Sequence, residues 1–181
     1  LTKFFGSHIT PHFGMAQRIV GTPMGMLSQS IGQVFYQQAS DIYNREGDLF
    51  AFIKKAYINL LKISIVPFGI AMIFAPILFN LFLGEGWEIS GQFAQILVPW
   101  LFVMFLNSPI TFVITILNKQ KQMLVYDIFL IIFRFLALFC GYFYFDSFFV
   151  SIILFSLVGL GFNVFLMFYL FKISKSVNND S

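Results

Sequence analysis

Four stretches of this chain carry no Asp, Glu, Lys or Arg: residues 19–40, 63–84, 89–118 and 147–171. Each reaches or passes the ~20 residues that a helix needs to cross a bilayer. A fifth stretch, residues 123–145, is apolar apart from Asp127 and Arg134. Hydrophobic residues make up 59% of the chain and charged residues 10%, against roughly 25% charged in an ordinary soluble domain. Twenty-seven Phe among 181 residues move it further from a soluble globule. The pattern describes an all-α, polytopic membrane helix bundle.

Charge between the stretches orients the bundle. Lys and Arg collect at Arg45, Lys54, Lys55 and Lys62, then at Lys119 and Lys121, then at Lys172 and Lys175. The intervening turns, residues 84–91 and 144–147, hold acids but neither Lys nor Arg. Cytoplasmic loops keep basic residues, so the three basic clusters read as inside and the two bare turns as outside, with the C-terminus cytoplasmic. Only Lys3, Arg18 and Arg134 fall outside the scheme. The net charge of +3 follows from this bias, and no basic run with interleaved aromatics points to nucleic acid.

About five transmembrane helices follow, at roughly residues 13–43, 63–83, 90–118, 122–144 and 147–171. Residues 1–12 read as an outer loop without the long apolar core of a signal peptide. Residues 48–61 place Leu49, Phe52, Ile53, Ala56, Tyr57 and Leu60 on one face and Lys54, Lys55 and Asn59 opposite, the pattern of an amphipathic helix lying in the inner interface. Residues 173–181 read as a polar, disordered cytoplasmic tail. Five of the six prolines fall inside spans, where freed carbonyls need neighbours or water. The chain begins at Leu, and five spans is an odd number for a repeat-built transporter, so a C-terminal part of a longer protein is expected.

Polar residues within spans are the candidates for function. In the first span Gly21, Gly25, Ser28 and Gly32 form a narrow small-residue stripe suited to close helix approach. Beside it run Arg18 and, at i, i+4, i+8, Gln29, Gln33 and Gln37, whose amides must face protein or water rather than lipid. In the third span Ser108, Thr111, Thr115 and Asn118 share a face, with Asn107 at its edge; in the fifth, Ser156, Gly159 and Asn163 align. Asp127 and Arg134 lie seven residues apart on one helix face, ~10 Å along the axis at 1.5 Å per residue. An intramembrane Arg costs ~2.5–3.5 kcal/mol on insertion scales, so Arg134 is either an anion contact or an architectural cation. Asp127, Asn107 and Asn118 read as structural polar groups. Asn163 can either cross-link helices or reach a cavity. His8 and His12 have ligand-like spacing, but Pro11 disfavours the helix that would join them and no third ligand is near. Glu85 and Glu88 lack a His, a nucleophile or a phosphate-cradling loop beside them. No catalytic or metal site and no cofactor is expected, and the lone Cys140 packs as a small apolar residue.

Several short motifs in order resemble a known family. Gly14-Met15-Ala16-Gln17-Arg18-Ile19, Pro23 and the segment 32–40 resemble the Gly…Ala-x-Arg-Ile…Pro…Ser segment of polysaccharide flippases. So are Leu83-Gly84-Glu85-Gly86-Trp87-Glu88, Ala94 to Pro99-Trp100, Ser108-Pro109, Leu117 to Lys121 and Arg134 to Leu138. The chain resembles, over about residues 13–172, the O-antigen and capsular repeat-unit flippases of the multidrug/oligosaccharidyl-lipid/polysaccharide exporter superfamily. The resemblance implies a two-lobe, twelve-helix transporter of the bacterial inner membrane, of which this chain matches the eighth to twelfth helices, with the N-terminal lobe missing. It implies alternating access, with an undecaprenyl-diphosphate-linked oligosaccharide as cargo. On that template Arg134 and Arg18 would meet the diphosphate, while Gln29, Gln33, Gln37 and Asn163 would line the cavity. A drug or peptidoglycan-precursor exporter, a non-transporting truncated remnant and, with less support, a membrane-embedded transferase stand as alternatives.

Overall fold

A computed structural model of the chain describes the backbone of residues 10–180 and the side chains of residues 11–176. Among the described residues six helices follow one another: α1 Thr10–Asn44, α2 Leu49–Leu83, α3 Glu88–Asn107, α4 Phe112–Ile116, α5 Gln120–Phe145 and α6 Phe148–Asp180. The described residues contain no strand. Among the described residues four segments are long and apolar enough to cross a membrane: α2, Glu88–Ile116 (α3 continued through α4), α5 and α6 as far as Ser176. The fold is a multi-pass helix bundle. α1 has the length, 35 residues, but its Gly, Ser and Gln keep it outside the group apolar enough to span on composition alone.

Corner residues allow the chain to reverse tightly. Glu46, Asn118 and Asp146 take positive φ of 54°, 54° and 42°, and Gly84 and Gly86 take 94° and 92°. Each sits in a connection between helices, where a residue of positive φ ends one helix and re-aims the backbone. Asp48 caps α2 by accepting a 2.8 Å bond from the Ala51 N–H. The helices therefore alternate in direction. At one end, Phe35 stacks on Phe52, Phe50 meets Phe171, and the Tyr169 hydroxyl donates to Gln122 Oε1 at 3.2 Å. At the other, His12 bonds Ser90 Oγ at 2.9 Å and Phe93 meets Phe148. The basic clusters around Arg45, Lys119–Lys121 and Lys172 fall at the first end and the acidic turns at the second, as the charge pattern requires.

α3 is the hub. More than half of its span is buried, against 6% for α5, and it touches α1, α2 and α6. Two glycines set the closest approaches. A Cβ at Gly91 would collide with the Pro76 backbone of α2, and one at Gly141 would collide with Ser151 of α6. In contrast, Gly21 and Gly25 have open space beside them, so the expected small-residue stripe of α1 serves packing only through Ser28, which is buried, and Gly32, which meets the Phe112 ring.

Several expected boundaries move. The interfacial helix at 48–61 and the span at 63–83 form one continuous helix of 35 residues. At 1.5 Å per residue this is ~52 Å, beyond the ~30 Å hydrocarbon core. Its first half projects past the core on the basic side. The amphipathic face holds, but Leu49, Ile53, Tyr57 and Leu60 are buried on the bundle instead of resting on lipid. The span expected at 90–118 is broken at 108–111, where Ser108 to Thr111 form turns around Pro109 and the Thr111 hydroxyl donates to the Ser108 carbonyl. Pro23, Pro67, Pro76 and Pro99 stay inside helices. Residues 10–12, placed in the outer loop, already belong to α1, and the tail expected to be disordered continues α6 to Asp180. Residues 1–9, including His8, lie outside the described residues.

Candidate functional site

Arg134 lies midway along α5, where hydropathy alone would place an aliphatic residue. Its guanidinium carbon stands 4.1 Å from the centre of the Trp100 ring of α3 and 4.6 Å from that of Phe155 of α6. The two rings meet edge to face at 5.5 Å, so the cation is received in a corner with two aromatic walls. α6 makes room with Gly159: a Cβ there would lie 2.7 Å from Arg134 Nη2 and 2.8 Å from Trp100 Cδ1. A guanidinium stacks on aromatic faces because the ring quadrupole attracts the cation, by ~0.5–2 kcal/mol depending on desolvation.

That contact answers the charge but not the donors. Nε and Nη2 of Arg134 are buried without a hydrogen-bond partner, as are Trp100 Nε1 and the Tyr126 hydroxyl. Arginine can donate but not accept, and an unmade buried bond costs ~1–3 kcal/mol, more when charged. No ion pair joins Asp127 to Arg134; Asp127 instead lines a shallow groove of about 360 Å³ between α4 and α5, with Thr111, Thr115 and Gln120. The shared helix face places the two residues in one row, but different neighbours claim them.

A second polar group is fully satisfied. The Tyr57 hydroxyl of α2 donates to Asn107 Oδ1 at 2.8 Å, and Asn107 Nδ2 donates to the Asn163 carbonyl of α6 at 2.7 Å. Asn163 Nδ2 donates back to the Gly159 carbonyl at 2.8 Å. Ser156 adds a 2.6 Å bond to the Ile96 carbonyl. Asn107 thus bonds α2 and α6 at once. Asn163, expected to line the cavity, is buried between helices, and its side chain is used in this network. Asn118 is exposed and forms a left-handed corner, so it cross-links nothing.

Arg18, Gln29, Gln33 and Gln37 are exposed on α1, whereas Arg134 packs against Trp100, Phe155 and Gly159 of α3 and α6. The bundle does not gather them with Arg134 into one site. His12 bonds Ser90 and meets the Trp87 ring edge-on at 5.1 Å, and no cluster of metal-ligating side chains occurs among the described residues. Glu88 accepts a 2.8 Å bond from Asn80. Trp100, Phe155, Tyr126 and Tyr57 are neighbours that the polar pattern of the sequence does not single out. The available signal was Trp100 itself, a tryptophan at mid-span where the residue usually prefers the interface. Comparison with family models, curated proteins and solved structures finds no match to this chain.

Proposed function

We propose that the chain forms part of a flippase that moves an undecaprenyl-diphosphate-linked oligosaccharide across the bacterial cytoplasmic membrane by alternating access. The observation that carries this reading is Arg134, a cation inside an apolar bundle whose Nε and Nη2 donors have no partner. A forked guanidinium complements a phosphate or carboxylate better than any other side chain. Those donors are buried between Trp100, Phe155 and Gly159, so an anion reaches them only once alternating access opens that corner. The ordered motifs from Gly14 to Leu138 support the same class. The polar side of α1, with Arg18, Gln29, Gln33 and Gln37 exposed, supplies amides suited to sugar hydroxyls once a second lobe covers it.

The test uses the intact gene product in cells lacking the gene. Arg134→Ala is expected to abolish restoration of surface polysaccharide while membrane abundance stays unchanged, and Arg134→Lys, which cannot fork, is expected to restore only part. Normal polysaccharide with Arg134→Ala would sink the anion-contact role.

A further inference from the structure

A groove of about 880 Å³ opens between α5 and α6; Tyr126 is in its wall, while Arg134, Trp100, Phe155 and Gly159 are not. Its walls along the bundle are apolar, including Phe129, Val158, Phe162 and Phe165. Its mouth is polar, with Lys121, Gln122 and Tyr169. On α6 it runs from Val158 to Tyr169, which at 1.5 Å per residue is ~16 Å. That is about half of a ~30 Å hydrocarbon core, the depth of one leaflet. It starts at the basic end of the bundle and stops near mid-membrane.

The mouth is cationic. Lys121 is exposed, Lys172 is exposed three residues beyond Tyr169, and no acid lines the groove. The Tyr169 hydroxyl occupies the Gln122 carbonyl oxygen at 3.2 Å, which leaves the amide nitrogen of Gln122 to donate outward. Midway along, Gly161 lines the groove, and a Cβ there would meet nothing within 4 Å. The absent side chain is part of the groove's volume.

We propose that this groove holds an acyl chain of an anionic phospholipid from the leaflet at the basic end, its phosphate against Lys121 and the Gln122 amide. The site is independent of the transport reading: it requires only a membrane around the bundle and a negative headgroup. Basic residues at that level attract anionic lipid.

Native mass spectrometry of the detergent-purified gene product, loaded with phosphatidylglycerol or phosphatidylcholine of identical chains, tests it. The wild type is expected to retain one phosphatidylglycerol in preference to phosphatidylcholine. Lys121→Gln should lower that preference about fivefold. Gly161→Leu should abolish retention, whereas Gly69→Leu, which also has open space beside it but on α2, should not. Equal retention of both lipids, or retention by Gly161→Leu as in the wild type, overturns the proposal. So does a dimer lost on Gly161→Leu, which would assign the groove to a second copy, or stronger retention of undecaprenyl phosphate than of phosphatidylglycerol.

Discussion

Two polar groups inside one bundle show how single residues divide between holding the fold and awaiting a partner. Asn107 is 1% exposed, and both ends of its amide are used, one by Tyr57 and one by the Asn163 carbonyl. Arg134 keeps two buried donors unused. Removing a fully engaged group strands its partners, so Asn107→Leu should destabilise the protein by ~1–3 kcal/mol. Thermal unfolding in detergent measures this as a lowered midpoint; an unchanged midpoint would show that the network does not hold α2, α3 and α6 together. Arg134→Ala should have a smaller effect on the same midpoint, because it loses a cation–π contact and also relieves unpaired donors. The asparagines at 107 and 163 were legible as polar residues in spans, and so was Arg134. Which was satisfied was not, because the partners of each lie on other helices, 34 residues away for Trp100 and Arg134 and 56 for Asn107 and Asn163.

At the scale of helices, close approach is set by glycines that face backbone, not by glycines that form a stripe. Four small residues spaced along α1 looked like a packing face, yet two of them, Gly21 and Gly25, meet nothing. Gly141 has no such regular pattern and still brings α5 against Ser151 of α6. Overpacking a tight contact forces backbone shifts of ~1–3 kcal/mol or more. Gly141→Leu should therefore splay α5 from α6 and lower the unfolding midpoint, while Gly25→Leu should leave it within error. Equal effects from the two would refute this assignment of the contact. The continuity of α2 belongs to the same scale. The change from amphipathic to uniformly apolar near Lys62 reads as a boundary between two elements, but no helix-ending residue stands there. The backbone continues, and the amphipathic half finds α1 and α6 in place of a lipid surface.

For the whole molecule, the alternation of basic and acidic connections predicts which side each faces. In a Cys140→Ala background, Glu85→Cys should react with an impermeant maleimide on intact cells, and Gln120→Cys only after permeabilisation. Both positions are exposed at opposite ends of the bundle. Labelling of both from one side would contradict the antiparallel arrangement, and a reversed result would invert the orientation. The presence of several bilayer-length apolar helices and the charge bias between them come from local composition, which acts through transfer of each segment between water and lipid, and so the sequence alone determined them. It also exposed Arg134, since a cation in an apolar run is anomalous wherever the run folds. The tertiary structure alone decided the central place of α3, the break at 108–111, the aromatic corner that receives Arg134, and the exposure of the α1 glutamines. Those depend on which faces of distant helices meet, and packing at that range leaves no periodic trace in the chain.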